Sequence, residues 1–293
     1  MGAAELLQFV VAGLKNGAIY ALIALGFSLV YSATGVINFA QGEFYMLGGM
    51  VGVWALRTLG LPLWAAVPLA VVVTVAAGML IERLALRPRR FEPPLVLIII
   101  TIGVSMVMQS LARHLFGPNE LAMPPFSPGP SLSILGASVE RQTLWVWGLT
   151  GLALLVLWFL YTRTKLGLAM RATAVSHDAS RLVGIDTAGV VMITFALAAA
   201  LGALAGVAVS PLTQTAYDVG SRMGLKGFAA AILGGLGGPV AAVVGGLALG
   251  LVESLSVAFI SSTYKDAIAL FVLLLVLFLK PDGLFGRTTG EKV

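Results

Sequence analysis

Long apolar runs without a single charged residue dominate this chain. No Asp, Glu, Lys or Arg occurs from Thr187 to Tyr217 or from Gly227 to Val252. About 20 consecutive apolar residues are enough to cross the hydrocarbon core of a bilayer. Charged residues make up only 11% of the chain, against about 25% in a typical soluble domain, and the mean hydropathy is +0.99. The sequence therefore predicts an all-α polytopic membrane protein, with a single transmembrane domain over residues 1–293.

Hydropathy and helix-breaking residues predict eight clear spans and one short, broken membrane helix. The eight spans are Leu6–Tyr31, Val36–Arg57, Pro62–Leu86, Pro93–Phe116, Thr143–Thr162, Thr187–Leu212, Gly238–Ala258 and Tyr264–Lys280. The short helix covers Gly224–Gly237 and is only about 20 Å long at ~1.5 Å per residue. It should break from the next span at Gly234, Gly235, Gly237 and Gly238. Because lipid tolerates such a break only beside protein or a water-filled cavity, we expect it next to a translocation path.

The distribution of basic residues predicts the orientation. Eleven of the 18 lysines and arginines follow the third, fifth and last spans: Arg83, Arg87, Arg89, Arg90, Arg163, Lys165, Arg171, Arg181, Lys280, Arg287 and Lys292. By the positive-inside rule these regions are cytoplasmic, so the N-terminus and the loop 117–142 should be external. The C-terminus is then cytoplasmic only if Gly224–Gly237 crosses rather than re-enters, and we expect it to cross. Met1–Glu5 has no basic signal-peptide region, so the first span should be retained.

Sequence motifs for catalysis and metal binding are missing. The chain has no cysteine, which excludes thiol catalysis and Cys-ligated metals, and its two histidines, His114 and His177, are isolated. Neither the phosphate-binding G-x-x-x-x-G-K-[ST] loop nor the hydrolase G-x-S-x-G motif occurs. The net charge of +5 is typical of the cytoplasmic loops of a membrane protein. We expect no catalytic residue, metal or cofactor, and membrane lipid rather than nucleic acid as a partner.

Polar residues inside an apolar span are the main candidates for function, because they are costly in lipid. The second predicted span opens with Asn38, Gln41, Gly42, Glu43 and Tyr45, which are candidates for lining a translocation path. In a continuous helix, Asn38, Gln41 and Tyr45 would share one face. Glu43 would lie about 200° from Gln41, so it should be protonated, paired or at a helix break. Hydrogen bonding between packed helices explains these residues equally well.

Two further charged sites lie towards the ends of predicted spans. Glu253 precedes the end of the seventh span, and Lys265–Asp266 opens the eighth. We expect all three side chains near the outer membrane edge, where they would reach solvent.

Four blocks of sequence resemble the permeases of branched-chain amino-acid ABC transporters. In chain order they are Asn16–Leu22 with Gly35–Phe44, Gly167–Ala172 with Asp178–Asp186, Lys226–Gly235, and Lys280–Gly286. The second block resembles that family's cytoplasmic coupling segment, which implies a coupling segment over residues 163–186. The residues that carry this likeness are Gly167, Arg171, Ala172, Asp178, Ala179, Arg181, Leu182 and Gly184.

The coupling segment also has the features of a short docking helix. Val175, Ala179 and Leu182 recur at helical spacing and would form an apolar stripe that suits a groove on a partner. Thr173 or Ser176 is placed to cap the start of such a helix, and Gly184 to end it in a left-handed conformation.

The resemblance implies the permease subunit of an ABC importer in the cell inner membrane. Such a subunit passes a hydrophobic, branched-chain or other neutral amino acid inward by ATP-driven alternating access. The implied partners are a second permease chain, sister or identical, two cytoplasmic ATPase subunits and an external substrate-binding protein. The chain itself would then not be an enzyme, which agrees with its missing phosphate-binding loop. The alternatives are a urea or short-amide ABC importer permease and, in a different class, an ion-coupled secondary transporter that uses a buried charge such as Glu43.

Overall fold

The computed structural model describes residues 2–134 and 136–285, and this part of the chain is mainly helical. Its helices are α1 (Ala3–Thr34), α2 (Gln41–Arg57), α3 (Leu63–Ile81), α4 (Pro94–Phe116), α5 (Arg141–Arg163), α6 (Lys165–Val175), α7 (His177–Leu182), α8 (Thr187–Thr213), α9 (Val219–Gly234), α10 (Pro239–Phe259) and α11 (Lys265–Leu279). A π-helical turn, Glu82–Leu86, and a 3₁₀ turn, Arg87–Arg89, continue α3. A small antiparallel hairpin pairs β1 (Leu132–Ile134) with β2 (Ala137–Val139).

Six helices among the described residues are long and apolar enough to cross a bilayer, namely α1, α3, α4, α5, α8 and α10. The chain is therefore an all-α polytopic membrane protein. Helices α2, α9 and α11 have 17, 16 and 15 residues and are shorter than the about 20 residues of a typical span. Length and composition alone thus do not confirm the predicted eight spans.

Glycines hold α1 and α10 together at the centre of the bundle. Gly13 of α1 lies against Gly250, and Gly17 lies against Gly246 and Leu247, so the two helices run antiparallel. A Cβ atom on Gly17 would lie 2.8 Å from the Cα atom of Leu247, closer than real Cβ atoms approach. Small residues let helix backbones meet in lipid, where dispersion and not the hydrophobic effect favours association.

A second glycine seam joins α2 to α8 and α9. Gly206 of α8 lies against the backbone of Tyr45, whose side chain is buried. Gly42, at the start of α2, packs against Gly220 and Gly224 of α9. Any side chain at Gly42 would collide with α9, so this glycine sets how closely the two helices meet.

The two ends of α1 define two faces of the bundle. At its N-terminal end, the side chain of Gln8 exchanges hydrogen bonds of 2.9 and 2.7 Å with the backbone of Ser138 in β2. A β-bridge between Leu121 and Thr215 brings the start of α9 close to the same loop. We call this end the hairpin face. The loop predicted over 117–142 thus contains a hairpin.

The opposite end of α1 lies beside the predicted coupling segment, residues 163–186. The imidazole Nε2 of His177, at the start of α7, is 2.6 Å from the carbonyl oxygen of Ala33. We call this end the α7 face. The chain between α9 and α10 reaches it too, because the Ser32 hydroxyl donates to the Gly237 carbonyl at 2.8 Å and the Gly237 N–H donates to Ser28 at 3.1 Å.

The predicted break between residues 234 and 238 is confirmed. Helix α9 ends at Gly234, and α10 begins at Pro239. Gly235 and Gly237 have φ angles of +115° and +92°, which other residues rarely adopt.

The chain after α11 returns to this break. The N–H groups of Leu284 and Phe285 donate to the carbonyls of Leu233 and Gly234 at 2.9 and 2.8 Å. These bonds satisfy two carbonyls that the end of α9 leaves without helical partners. Gly286, Arg287 and Lys292, the rest of the predicted basic tail, lie outside the described residues.

Candidate functional site

Helix α2 begins at Gln41, and the prediction that it begins at Val36 is wrong. Gly35 ends α1 with a φ of +69°. Beyond it, the side-chain oxygen of Asn38 accepts a hydrogen bond of 3.1 Å from the N–H of Ala40. Such a bond offers the backbone an alternative to the helical pattern. Asn38 therefore precedes the helix, and the predicted common face of Asn38, Gln41 and Tyr45 does not exist.

Gln41 holds helices together. Its side chain is fully buried, donates a hydrogen bond of 3.0 Å from Nε2 to the carbonyl of Ala198 in α8, and packs over Gly26 of α1. A side chain at Gly26 would occupy the same space. The structure thus gives Gln41 the interhelical hydrogen bond that the sequence left as an alternative.

Glu43 is paired through hydrogen bonds. It lies in the first turn of α2 and is fully buried. Its Oε1 accepts from Ser105 Oγ at 2.8 Å and Gln109 Nε2 at 2.9 Å, both on α4, and from Ser221 Oγ of α9 at 3.3 Å. Glu43 thereby joins three helices at a point where Gly42 lets α9 come close.

A second buried cluster corrects the prediction for Glu253. This residue is 3% exposed, not at a solvated edge. Its carboxylate accepts a hydrogen bond from the Tyr20 hydroxyl at 2.6 Å and forms an ion pair of 2.7 Å with Lys226 of α9. The same ammonium group lies 2.8 Å from Asp266, and Lys265 is 4.0 Å from Glu253. The two positive and two negative charges on α9, α10 and α11 balance, which is why the protein can bury the Glu253 carboxylate; Asp266 and Lys265 are 60% and 45% exposed.

Asn38 lies beside a cavity on the α7 face. The cavity has a volume of about 300 Å³ and lies between the end of α1, the turns after α3, the start of α4, and α7 with α8. Glu82, in the π-helical turn, also borders it. Of the predicted path residues, the structure brings only Asn38 to this cavity.

The predicted coupling segment folds as two short helices, α6 and α7. Ser176 caps α7 as predicted, accepting from the N–H of Ala179 at 3.2 Å, and Gly184 is left-handed with a φ of +83°. The single apolar stripe is wrong, however, because the extended backbone of Ser176 separates Val175 on α6 from Leu182 on α7. Val175 and Leu182 are nevertheless 78% and 89% exposed. The segment therefore presents apolar side chains on its surface.

The remaining residues of the predicted coupling segment mainly attach the two helices to the bundle. Gly167 is buried against the end of α5, and the Arg171 guanidinium lies 5.9 Å from the centre of the Tyr161 ring. The Ala172 carbonyl accepts from the N–H of Ser176 at 3.1 Å. On α7, Arg181 donates from Nε to the Thr187 hydroxyl at 3.0 Å, while Asp178 is exposed beside the cavity.

Comparison with known sequences identifies the family. Residues 9–277 match the family described as "Branched-chain amino acid transport system / permease component". The chain belongs to this family. It is 37% identical over 300 residues to the high-affinity branched-chain amino acid transport system permease protein LivH of Salmonella typhimurium, covering 98% of this chain and 97% of that one. It is 36% identical to BraD, a permease protein of the same description from Pseudomonas aeruginosa, over 98% of each chain.

A more distant relative of this permease has a different substrate in its name. The ribose import permease protein RbsC of Escherichia coli is 27% identical over 278 residues, which cover 89% of this chain and 82% of that one. The names of related permeases therefore give different substrates. The substrate of this chain must be argued separately from its fold.

Several contacts and residues of these sites were not predicted from the sequence. Lys226 and Glu253 flank a charge-free run, and their opposite signs on neighbouring helices were a usable signal for the buried ion pair. Ser105 and Gln109 share a face of α4 at i and i+4, which was also visible. Glu82 gave no such signal, because it adjoins Arg83 and resembles the beginning of a solvated loop.

Proposed function

We propose that this permease is the membrane subunit of an ABC importer that passes branched-chain amino acids, or other neutral amino acids, inward by alternating access. Membership of the branched-chain amino-acid permease family over residues 9–277 is the observation that carries the proposal. The relatives named LivH and BraD, which match over almost the full chain, support the same substrate class.

The energy for transport comes from other subunits. The sequence has no phosphate-binding loop, so two cytoplasmic ATPase subunits supply ATP hydrolysis. They dock on the coupling segment, where exposed Val175 and Leu182 offer apolar contacts to a groove. A second permease chain completes the pathway, and an external binding protein delivers the substrate at the hairpin face.

In the cell inner membrane, we propose nine crossings, an external N-terminus and a cytoplasmic C-terminus. The basic stretches around Arg87 and Arg181 border one cavity on the α7 face, as expected of a single cytoplasmic side. Helix α9 begins near the Leu121–Thr215 bridge on the hairpin face and ends at the break on the α7 face, which supports its crossing.

Cysteines placed in this cysteine-free chain test the orientation. An impermeant thiol reagent added to intact cells should label Ala4→Cys and Ser131→Cys, and should label Arg89→Cys only after the cells are broken. Labelling of Arg89→Cys in intact cells would contradict the proposed topology.

Reconstitution tests the function. Proteoliposomes are prepared with both permease chains, with the ATPase subunits and ATP inside and the binding protein outside. They should take up radiolabelled leucine. The permease alone should neither hydrolyse ATP nor concentrate leucine. Uptake of urea or ribose in place of leucine would refute the substrate, and uptake by the permease alone on a proton or sodium gradient would refute the ABC mechanism.

A further inference from the structure

The cavity on the α7 face has the size and place of a small-molecule site. Its volume of about 300 Å³ lies at the lower end of the range for such sites, roughly 300–1,000 Å³. It opens at the ends of several helices on the side where the proposed transport would release its substrate.

Two buried polar groups at the cavity lack partners. The Nδ2 of Asn38 and the Oε2 of Glu82 have no hydrogen bond, although the two residues are only 1% and 2% exposed. Buried polar groups without partners are rare in folded proteins. The Asn38 Oδ1 is already used by Ala40, so the residue offers a donor, whereas Glu82 offers an acceptor. Both residues form part of the cavity wall.

The rest of the wall is part apolar and part charged. Val30, Leu97 and Phe195 supply apolar surface. The charged groups are of both signs, namely Arg87, Arg90, Arg181, Glu82 and Asp178. A simple anion would meet the two carboxylates, and a simple cation would meet the three guanidinium groups. A small ligand with both charges and an apolar body fits this wall better than either.

We propose that the cavity binds an apolar α-amino acid as its zwitterion. The ammonium group lies at the Glu82 carboxylate, the carboxylate at the Asn38 amide nitrogen, and the side chain against Val30 and Phe195. The inference rests on the proposed function, since it places an inward-facing site for the same substrate class on this chain.

The site also adjoins the coupling segment. His177 and Asp178, the first two residues of α7, form part of the cavity wall, and His177 lies against the end of α1. An amino acid held here touches the element that we propose contacts the ATPase. The proposed ligand would therefore lie directly against α7.

Direct binding tests the proposal. The purified full chain, with any subunits that copurify but without the external binding protein, is placed in lipid nanodiscs and titrated with radiolabelled leucine. Two competitors test the contact of each charged group separately. 4-methylpentanoate is leucine without its ammonium group, and 3-methylbutylamine is leucine without its carboxylate. We expect saturable leucine binding that is roughly tenfold or more tighter than that of either competitor.

Two variants assign the charges. Glu82→Gln should weaken the binding of leucine roughly tenfold and leave the binding of 4-methylpentanoate unchanged. The variant should therefore no longer prefer leucine to 4-methylpentanoate. Asn38→Ala should instead abolish the preference for leucine over 3-methylbutylamine. A general folding defect would weaken the binding of all three ligands. Glu92→Gln is the matched control, because Glu92 is exposed, pairs with Arg89 and lies outside the cavity wall.

The outcomes separate this inference from the proposed function. Absence of saturable leucine binding to the permease, while the complete importer takes up leucine, would overturn the cavity site alone. An unchanged preference in Glu82→Gln would overturn it as well. Failure of the complete importer to take up leucine would refute the proposed function, and the predicted binding pattern would still establish the cavity as an amino-acid site.

Discussion

Removing the ammonium group of Lys226 should destabilise the permease more than any exposed charge change. Lys226 lies 2.7 Å from Glu253, whose side chain is only 4% exposed. In Lys226→Met, Glu253 keeps the Tyr20 hydroxyl at 2.6 Å, but its next cation, Lys265, is 4.0 Å away and 45% exposed. Breaking a buried ion pair by removing one partner costs about 3–5 kcal/mol. We expect a value of about 3 kcal/mol, because Lys265 compensates in part.

A second substitution should reverse most of this loss. In Lys226→Met/Glu253→Gln no buried charge remains in this cluster, and the amide oxygen still accepts from the Tyr20 hydroxyl. The double variant should lie within about 1 kcal/mol of the wild type. Arg222→Met, on the same helix, is the control, since its 3.0 Å ion pair with Asp218 is exposed on both sides and contributes only about 0–1 kcal/mol.

Unfolding by sodium dodecyl sulfate in mixed micelles, followed by circular dichroism, measures these differences. The expected order of stability is wild type, Arg222→Met and the double variant close together, with Lys226→Met well below. If Lys226→Met were as stable as Arg222→Met, the charges of the cluster would not be electrostatically coupled. A double variant no better than the single one would show that the loss comes from packing.

Two further predictions concern coupling and packing. Leu182→Asp should leave membrane abundance unchanged, because Leu182 is 89% exposed, yet it should abolish ATP-driven uptake and weaken copurification of the ATPase, since it places a charge in an apolar groove. Lys165→Ala, outside the apolar contacts, is its control. Gly206→Val should prevent stable insertion, because any side chain there meets the backbone of Tyr45, while Gly103→Val, with open space around it, should express normally in an abundance assay. Normal uptake by Leu182→Asp would place the docking surface elsewhere, and normal abundance of Gly206→Val would contradict the close α2–α8 packing.

Hydropathy and breaker residues predicted most of the helices, because lipid requires long apolar segments with satisfied backbones. The break after Gly234, the Ser176 cap and the left-handed Gly184 were also predictable, since each depends on a local property of one residue type. The start of α2 was not. Val36–Ala40 is apolar enough for a helix, and the side-chain hydrogen bond of Asn38 that favours a turn leaves no trace in a hydropathy profile.

The partners of the polar residues were harder to predict than the residues themselves. Asn38, Gln41 and Glu43 were recognisable as costly groups in a span. Gln41, however, meets α8 at Ala198, and Glu43 meets α4 and α9, contacts that span more than 60 residues of sequence. Glu253 was misplaced for the same reason, because burial of a carboxylate depends on a lysine of another helix.

The three shortest membrane helices lie next to one another, and this grouping has a consequence for the surrounding lipid. Helix α9 contacts both α2 and α11. The outer of these, α11, has 15 residues and exposes Leu274 and Phe278, so it offers lipid about 22 Å of apolar length at ~1.5 Å per residue. A typical hydrocarbon core is about 30 Å thick. With α11 as one of the proposed crossings, this mismatch favours local thinning of the bilayer at a cost of fractions of a kcal/mol per ångström, membranes of short-chain lipids, or a neighbouring protein at this flank.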